Sequence, residues 1–142
     1  MKRMLPQAIR FLLLFGVAIP AHAHIGSKDI FEQVDAGPYK LFVTIRTPTV
    51  IPGVATLEIR SSGAPVNAIH ITPIPLTGEG AKNPPAADAM QASTDDPAFF
   101  TGSLWLMGTG SWQVRLQIDG AAGPATAGVP VAAMPLAILA AA

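Results

Sequence analysis

Residues 39–47 read YKLFVTIRT, and this stretch decides the fold class. Leu41, Val43 and Ile45 are separated by single residues, so their side chains share one face of an extended strand. Residues 55–60 (ATLEIR) repeat the alternation a few positions later. The two stretches therefore predict two strands that each bury one face.

Alternating segments continue on both sides of this pair, and Gly/Pro-rich turns separate them. The predicted strands are 28–34, 39–47, 55–60, 68–76, 99–107, 111–119 and 126–131. Gly108-Thr109-Gly110 separates the fifth and sixth strands, which is typical of a β-hairpin. Six or seven short strands with almost no helix predict an all-β fold, a Greek-key β-sandwich of two sheets.

The connection 77–97 is unusually long for a protein of this size. It has 21 residues, whereas four to six is the common length. Two interpretations are open: a binding surface displayed on a rigid scaffold, or a solvated crossing from one sheet to the other. Within it, residues 86–92 (AADAMQA) indicate one or two helical turns.

The methionines and tryptophans are expected to pack rather than to bind. Met90, Met107 and Met134 are isolated from one another in sequence, so core or gap-filling roles explain them better than a thioether metal site. Trp105 and Trp112 flank the predicted turn. We expect both indole rings to fill the core between the sheets.

Residues 1–23 read as a secretory signal peptide. Basic residues are followed by the apolar run 11–20 and by Ala21-His22-Ala23, a small-x-small cleavage pattern. Ten apolar residues are too few to span a bilayer. We therefore expect export to a periplasmic or other extracytoplasmic compartment, and a β-sandwich domain over 24–131.

Composition narrows the function further. Beyond residue 23 the chain has six Lys/Arg against nine Asp/Glu, which argues against a nucleic-acid partner. It has no cysteine, so the exported domain cannot rely on disulfides or on thiolate chemistry. No Gly-x-Ser-x-Gly motif or phosphate-binding glycine loop occurs, and we predict a non-enzymatic protein.

Cleavage after Ala23 would make His24 the first residue. Its free α-amine and its imidazole Nδ1 can then chelate one metal ion, and two nitrogen ligands in this arrangement suit Cu(II). His70 is the remaining histidine, expected to point outward from its strand, and it is the candidate for a further metal ligand. The alternatives stay open: the cleavage site merely precedes a histidine, and His70 is an exposed strand residue.

The apolar end 132–142 (AAMPLAILAAA) allows three interpretations. It is a loose tail after the last strand, a segment that docks a partner, or the beginning of a membrane segment. It is too short to span a bilayer by itself. Membrane association through this tail is therefore an expectation with open alternatives.

Two family resemblances accompany these patterns. Residues 110–114 (GSWQV) and 52–57 (PGVATL) resemble YtkA-like and FixH-like domains, which implies an immunoglobulin-like module in the cell envelope. The junction Ala21-His22-Ala23-His24 is similar to that of CopC-type copper-resistance proteins, although the Asp-x-His pair of that family is missing. The resemblances imply copper handling through His24. The alternative is a structural or interaction module that docks a membrane protein without metal.

Overall fold

The alternating segments form strands in the computed structural model, which describes residues 29–135. The elements are β1 (Ile30–Ala36), β2 (Tyr39–Arg46), β3 (Gly53–Gly63), β4 (Val66–Pro75), α1 (Glu79–Lys82), β5 (Asp88–Ala89), β6 (Gln91–Ala92), β7 (Phe99–Leu106), β8 (Gly110–Gly120) and β9 (Ala125–Ala133). The predicted signal peptide 1–23, His24 and the tail beyond residue 135 lie outside the described residues.

The strands make two antiparallel sheets that pack face to face. The five-stranded sheet has the order β1-β2-β3-β7-β6, and the four-stranded sheet has the order β5-β4-β8-β9. The prediction of an all-β sandwich is confirmed. Within residues 29–135, no helix is both long and apolar enough to cross a membrane.

The predicted hairpin of β7 and β8 is wrong. Both strands exist, but β7 pairs with β3 and β6, whereas β8 pairs with β4 and β9. Residues 107–109 therefore cross from one sheet to the other. The reason is that alternation specifies which face of a strand is apolar, but it does not specify the neighbouring strand.

One apolar core lies between the sheets. The inward rows come from every long strand, with residues on β2 and β8 among the most completely buried. The buried apolar residues are Ala36, Tyr39, Leu41, Val43, Ile45, Ala55, Leu57, Ile59, Ile69, Ile71, Ile74, Met90, Phe100, Leu104, Leu106, Trp112, Val114, Leu116, Ile118, Val129, Val131 and Ala133. Since the chain has no cysteine, this packing stabilises the domain without a covalent cross-link.

The long connection 77–97 crosses between the sheets, as one of the two interpretations predicted. β5 pairs with β4 in one sheet, and β6 pairs with β7 in the other. The helix expected over 86–92 is wrong, because this segment is extended and pairs with strands on both sides. The short helix α1 lies earlier, before Pro84-Pro85.

Met90 sits at the crossing point and closes the sandwich on this side. Its backbone N–H donates to the carbonyl oxygen of Ile69 at 2.8 Å, and only 8% of the residue is exposed. Gly102 makes room for it, since a Cβ there would lie 3.1 Å from Met90 Cγ and 3.2 Å from Ile71 Cδ1. The gap-filling role expected for Met90 is confirmed.

Tyr39 ties the two sheets together at the end of the sandwich where β7 begins. Its buried hydroxyl donates to the carbonyl oxygen of Gly123 at 2.6 Å and accepts from the N–H of Ala122 at 3.1 Å. Gly120 permits this approach, because a Cβ there would lie 2.7 Å from the Tyr39 hydroxyl oxygen. The start of β2 is thereby fixed to the turn between β8 and β9.

We predict that Met90→Ala lowers the free energy of unfolding by about 2–5 kcal/mol, because truncation leaves a cavity between the sheets. Met107→Ala is the matched control, since 64% of Met107 is exposed, and it should change stability by about 0.5 kcal/mol or less. Urea unfolding of both variants measures the difference. Equal effects would contradict the gap-filling role of Met90.

Candidate functional site

Of the two predicted metal ligands, His70 lies within the described residues and His24 lies outside them. His70 lies half-buried in β4, on the outer face of the four-stranded sheet, opposite Gln117 of β8 and Ala89 of β5. Asp29, the first described residue, lies on the outer face of the other sheet, where it pairs with Arg46. The sandwich therefore separates His70 from the point at which the chain enters the domain.

The surface beside His70 is polar and shallow. The groove on this face measures about 520 Å³, and its lining includes Gln113, Arg115 and Gln117. A separate groove of about 210 Å³ lies near the turn between β3 and β4. The side chain of Gln113 lies flat over Gly128, where any Cβ would collide with it. Among residues 29–135, no three His, Cys, Asp or Glu side chains are placed to hold a metal ion.

A larger groove of about 690 Å³ lies on the outer face of the five-stranded sheet, along β7. Its lining includes hydroxyl, amide and carboxylate groups next to one exposed indole ring. The polar and aromatic residues of this lining include Thr56, Glu58, Asp88, Gln91, Ser103 and Trp105. This mixture of an aromatic surface with several hydrogen-bonding groups is typical of a binding site.

The two carboxylates of this groove, those of Glu58 and Asp88, differ in their ion pairing. Glu58 Oε1 lies 2.9 Å from Arg46 Nη1, and this hydrogen bond raises the pKa of Arg46. Arg46 Nε also lies 3.7 Å from Asp29 Oδ2. Asp88 makes no ion pair with any described residue, so it is the groove's available anionic group.

One edge of the β7 backbone is unpaired along the same groove, while the other edge pairs with β3. The backbone N–H of Ser61 donates to the carbonyl oxygen of Ala98 at 2.8 Å. In this register the backbone groups of even-numbered β7 residues bond to β3, and those of odd-numbered residues point away from β3. β6 pairs only with Phe100 and Thr101. Within the described residues, the outward N–H and C=O groups of Ser103 and Trp105 therefore have no partner strand.

Trp105 corrects the expectation that both tryptophans are buried. Trp112 is 7% exposed, and its indole N–H donates to the carbonyl oxygen of Gly108 at 3.0 Å, but Trp105 is 59% exposed. The sequence contained the signal that would have shown this. Leu104 and Leu106 both face the core, so the residue between them must face outward.

Met107 and Met134 are also exposed, and the packing role expected for them is wrong. Met107 follows β7 and Met134 follows β9, so both lie just beyond the ends of strands. Residues in such positions no longer alternate with the sheet. Isolated apolar residues at strand ends therefore cannot be assigned to the core by composition.

Comparisons with known proteins identify no family. No family model matches the sequence, and no curated protein sequence matches it. Among solved structures, the chain is similar to a crystal structure of an engineered protein, with 18% identity and a TM-score of 0.47. The match covers 72% of this chain and 20% of that protein, so the chain spans about a fifth of its length.

We predict that acrylamide quenches the fluorescence of Trp105 but barely affects Trp112, because only the first indole ring is open to solvent. Trp105→Phe should remove most of the quenchable emission, whereas Trp112→Phe should retain it. Stern–Volmer plots of the two variants measure this. Similar quenching in both variants would contradict the outward position of Trp105.

Proposed function

We propose that this chain is an exported, non-enzymatic interaction module that binds an extended segment of an envelope protein along β7. The free backbone edge at Ser103 and Trp105, beside the groove, carries this proposal. Strand addition to a sheet edge is a common mode of peptide recognition, in which backbone hydrogen bonds give affinity and side-chain contacts give specificity.

The domain is, on this proposal, immunoglobulin-like with one additional strand at its N-terminal side. The orders β2-β3-β7-β6 and β4-β8-β9 correspond to the ABED and CFG sheets of constant-type immunoglobulin domains. β1 then precedes the first strand of that pattern. This correspondence agrees with the YtkA-like and FixH-like resemblance, which stays a prediction.

The other long strand on this side of the sandwich is a poor site for strand addition. Pro73 and Pro75 lie in β4 beyond the two residues that β5 covers, and proline has no N–H to donate. The edge of β7 has no proline from Phe99 to Leu106. An added strand is therefore expected beside β7.

Charge favours a cationic or neutral partner segment. Residues 29–135 contain nine acidic and five basic residues, and the groove has Asp88 as an available carboxylate. Trp105 offers an apolar surface to an adjacent side chain. We infer that a partner segment with a basic and an apolar residue at alternate positions fits best.

A photoreactive amino acid at Thr56, in the groove, is predicted to cross-link the full chain to an envelope protein in the cells that produce it. The same probe at Ser62 is the control, since Ser62 lies on the same strand and outer face but outside the groove. Mass spectrometry of the adduct identifies the contacted segment. Identical adducts from both positions, or none from Thr56, would contradict the proposal.

Ser103→Pro tests whether the backbone edge is used. The N–H that it removes faces away from β3, so the sheet should tolerate it, and the Thr56 adduct should disappear. Ser103→Ala keeps the N–H and should retain the adduct. Loss of the adduct in both variants would instead indicate that the serine side chain is what matters.

Copper binding is the second candidate function, and the export junction Ala21-His22-Ala23-His24 favours it. The described residues supply His70 on the far side of the sandwich from Asp29, and a fully extended chain of five residues spans roughly 17 Å. We therefore propose a copper site built on His24 itself rather than on both histidines.

Processed protein from the envelope is predicted to bind one Cu(II) per chain. His24→Ala, or one extra residue before His24, should abolish binding because either change removes the chelate of amine and imidazole. His70→Ala should leave binding unchanged. Calorimetric titration, with intact mass to fix the N-terminus, measures this; binding that survives the extension would contradict the copper proposal.

A further inference from the structure

One end of the sandwich exposes a large apolar side chain from each of four separate segments. These are the β2–β3 turn, the start of the long connection, the β7–β8 crossing and the end of β9. We name the four residues the apolar tip: Val50 (68% exposed), Leu76 (53%), Met107 (64%) and Met134 (44%). Strand register puts the four segments at the same end, because Gly53 pairs with Leu106, and Gly110 with Ala133.

The opposite end has a different chemical character. Its turns connect β1 to β2, β3 to β4, β6 to β7 and β8 to β9, and they contribute none of the large exposed apolar side chains. Asp95 and Asp96 lie in one of these turns, Asp35 and Asp119 lie at adjacent strand ends, and Lys40 and Arg60 offset two of these four negative charges. The domain is therefore polar and acidic at one end and apolar at the other.

The apolar tip also has little charge. Residues 47–52, 107–109 and 134–135 contain no charged side chain. The charged groups nearby leave one negative charge: Glu79 and Lys82 of α1 lie 4.0 Å apart and cancel, whereas Arg46 is bridged by two carboxylates, those of Asp29 and Glu58. A surface with few charged groups, most of them paired, can enter an apolar environment at lower cost than a highly charged one.

The chain enters and leaves the domain at this same end. β1 begins at Ile30 next to Ile45, and β9 ends at Ala133 next to Gly110. The adjoining sequence is apolar on the C-terminal side, where residues 136–142 (LAILAAA) have no charge. A surface that receives the apolar tip would therefore also be near that apolar segment.

We propose that the apolar tip rests in the interfacial layer of a lipid bilayer, with the acidic end directed away from it. One of the four side chains lies in a turn and the other three directly follow strand ends, and a deformable headgroup layer can accommodate side chains from such separate segments. Trp105, opposite Val54 in the register, lies two residues before Met107, on the outer face of the five-stranded sheet. Indole rings favour this membrane depth, with the apolar ring buried and the N–H hydrated.

This orientation is compatible with the partner proposed for β7, although both proposals use Trp105, which lies at the end of the groove nearest the tip. With the tip on the bilayer, the strands stand away from the membrane. The edge of β7 and its groove then face sideways, where a neighbouring envelope protein is accessible. Repulsion between the acidic end and an anionic leaflet favours the same orientation.

The test is cosedimentation of the processed full chain with phosphatidylcholine vesicles. Wild-type protein is expected to bind, and the double variant Val50→Ser/Met107→Ser is expected to bind about a hundredfold more weakly, at about tenfold for each side chain withdrawn from the lipid. Phe42→Ser is the matched control, because Phe42 is exposed but lies on the sheet face away from the tip. It should bind like wild type.

Each other outcome overturns the proposal. Equal binding by wild type and the double variant would assign the affinity to the flanking segments alone. Equal loss in Phe42→Ser would indicate unspecific adsorption, and binding that requires phosphatidylglycerol would indicate an electrostatic mode. Absence of wild-type binding, or a change in oligomeric state in the double variant, would exclude lipid as the occupant of the tip.

A second readout locates the contact directly. Brominated phosphatidylcholine quenches indole rings that lie at the membrane interface, so vesicle-bound protein should lose the emission of Trp105. Trp105→Phe should be insensitive to the brominated lipid, because Trp112 is buried in the domain. Quenching that persists in Trp105→Phe would contradict the proposed orientation.

Discussion

The packing of two apolar rows against each other, one from each sheet, is the constraint from which the rest of this domain follows. Since no disulfide contributes, these rows must be complete, and the most deeply buried residues do alternate along the central strands. Period-two geometry then sends every intervening residue to an outer face. The polar groove, His70 and Trp105 are all located where they are because their neighbours in sequence fill the core.

Incomplete closure of one side of the sandwich is what gives this domain a usable surface. The connection between β4 and β7 covers two residues of each strand and passes between the sheets at Met90. Beyond that point β4 is protected by its prolines, while β7 has an open backbone edge. Natural β-proteins usually protect such edges, and the open edge of β7 beside the polar groove is the observation on which the proposed peptide binding rests.

The sequence predicts much of this architecture, for reasons that particular segments make clear. Alternation identified β2 and β8 nearly residue by residue and the central part of β3, because burial of one face leaves a direct record in the sequence. Pairing leaves no such record, and the segment before Ser111 was consequently assigned to a hairpin that does not exist. The helix predicted over residues 86–92 is absent for a related reason. An alanine-rich composition favours helix locally, but pairing with strands of both sheets overrides this preference.

The candidate site was less accessible to prediction than the fold. The chemistry of His24 depends on where the signal peptide is cleaved, and His24 lies outside the described residues. The open edge of β7 depends on how few of its residues pair with β6, which the sequence does not indicate. The apolar tip can be recognised only when the register of the long strands is known, because its four residues lie on separate segments. Exposed Met107 and Met134 looked like core residues until the strands around them were known to end.

The Tyr39 clamp has a practical consequence for anyone who wishes to redesign this protein. It fastens β2 to the turn between β8 and β9 at the end remote from Val50 and Met107, so this contact between the sheets does not depend on the loops at the apolar end. Those loops should therefore accept foreign sequences, including charged or receptor-binding peptides. The scaffold offers a ready frame for grafting new recognition segments.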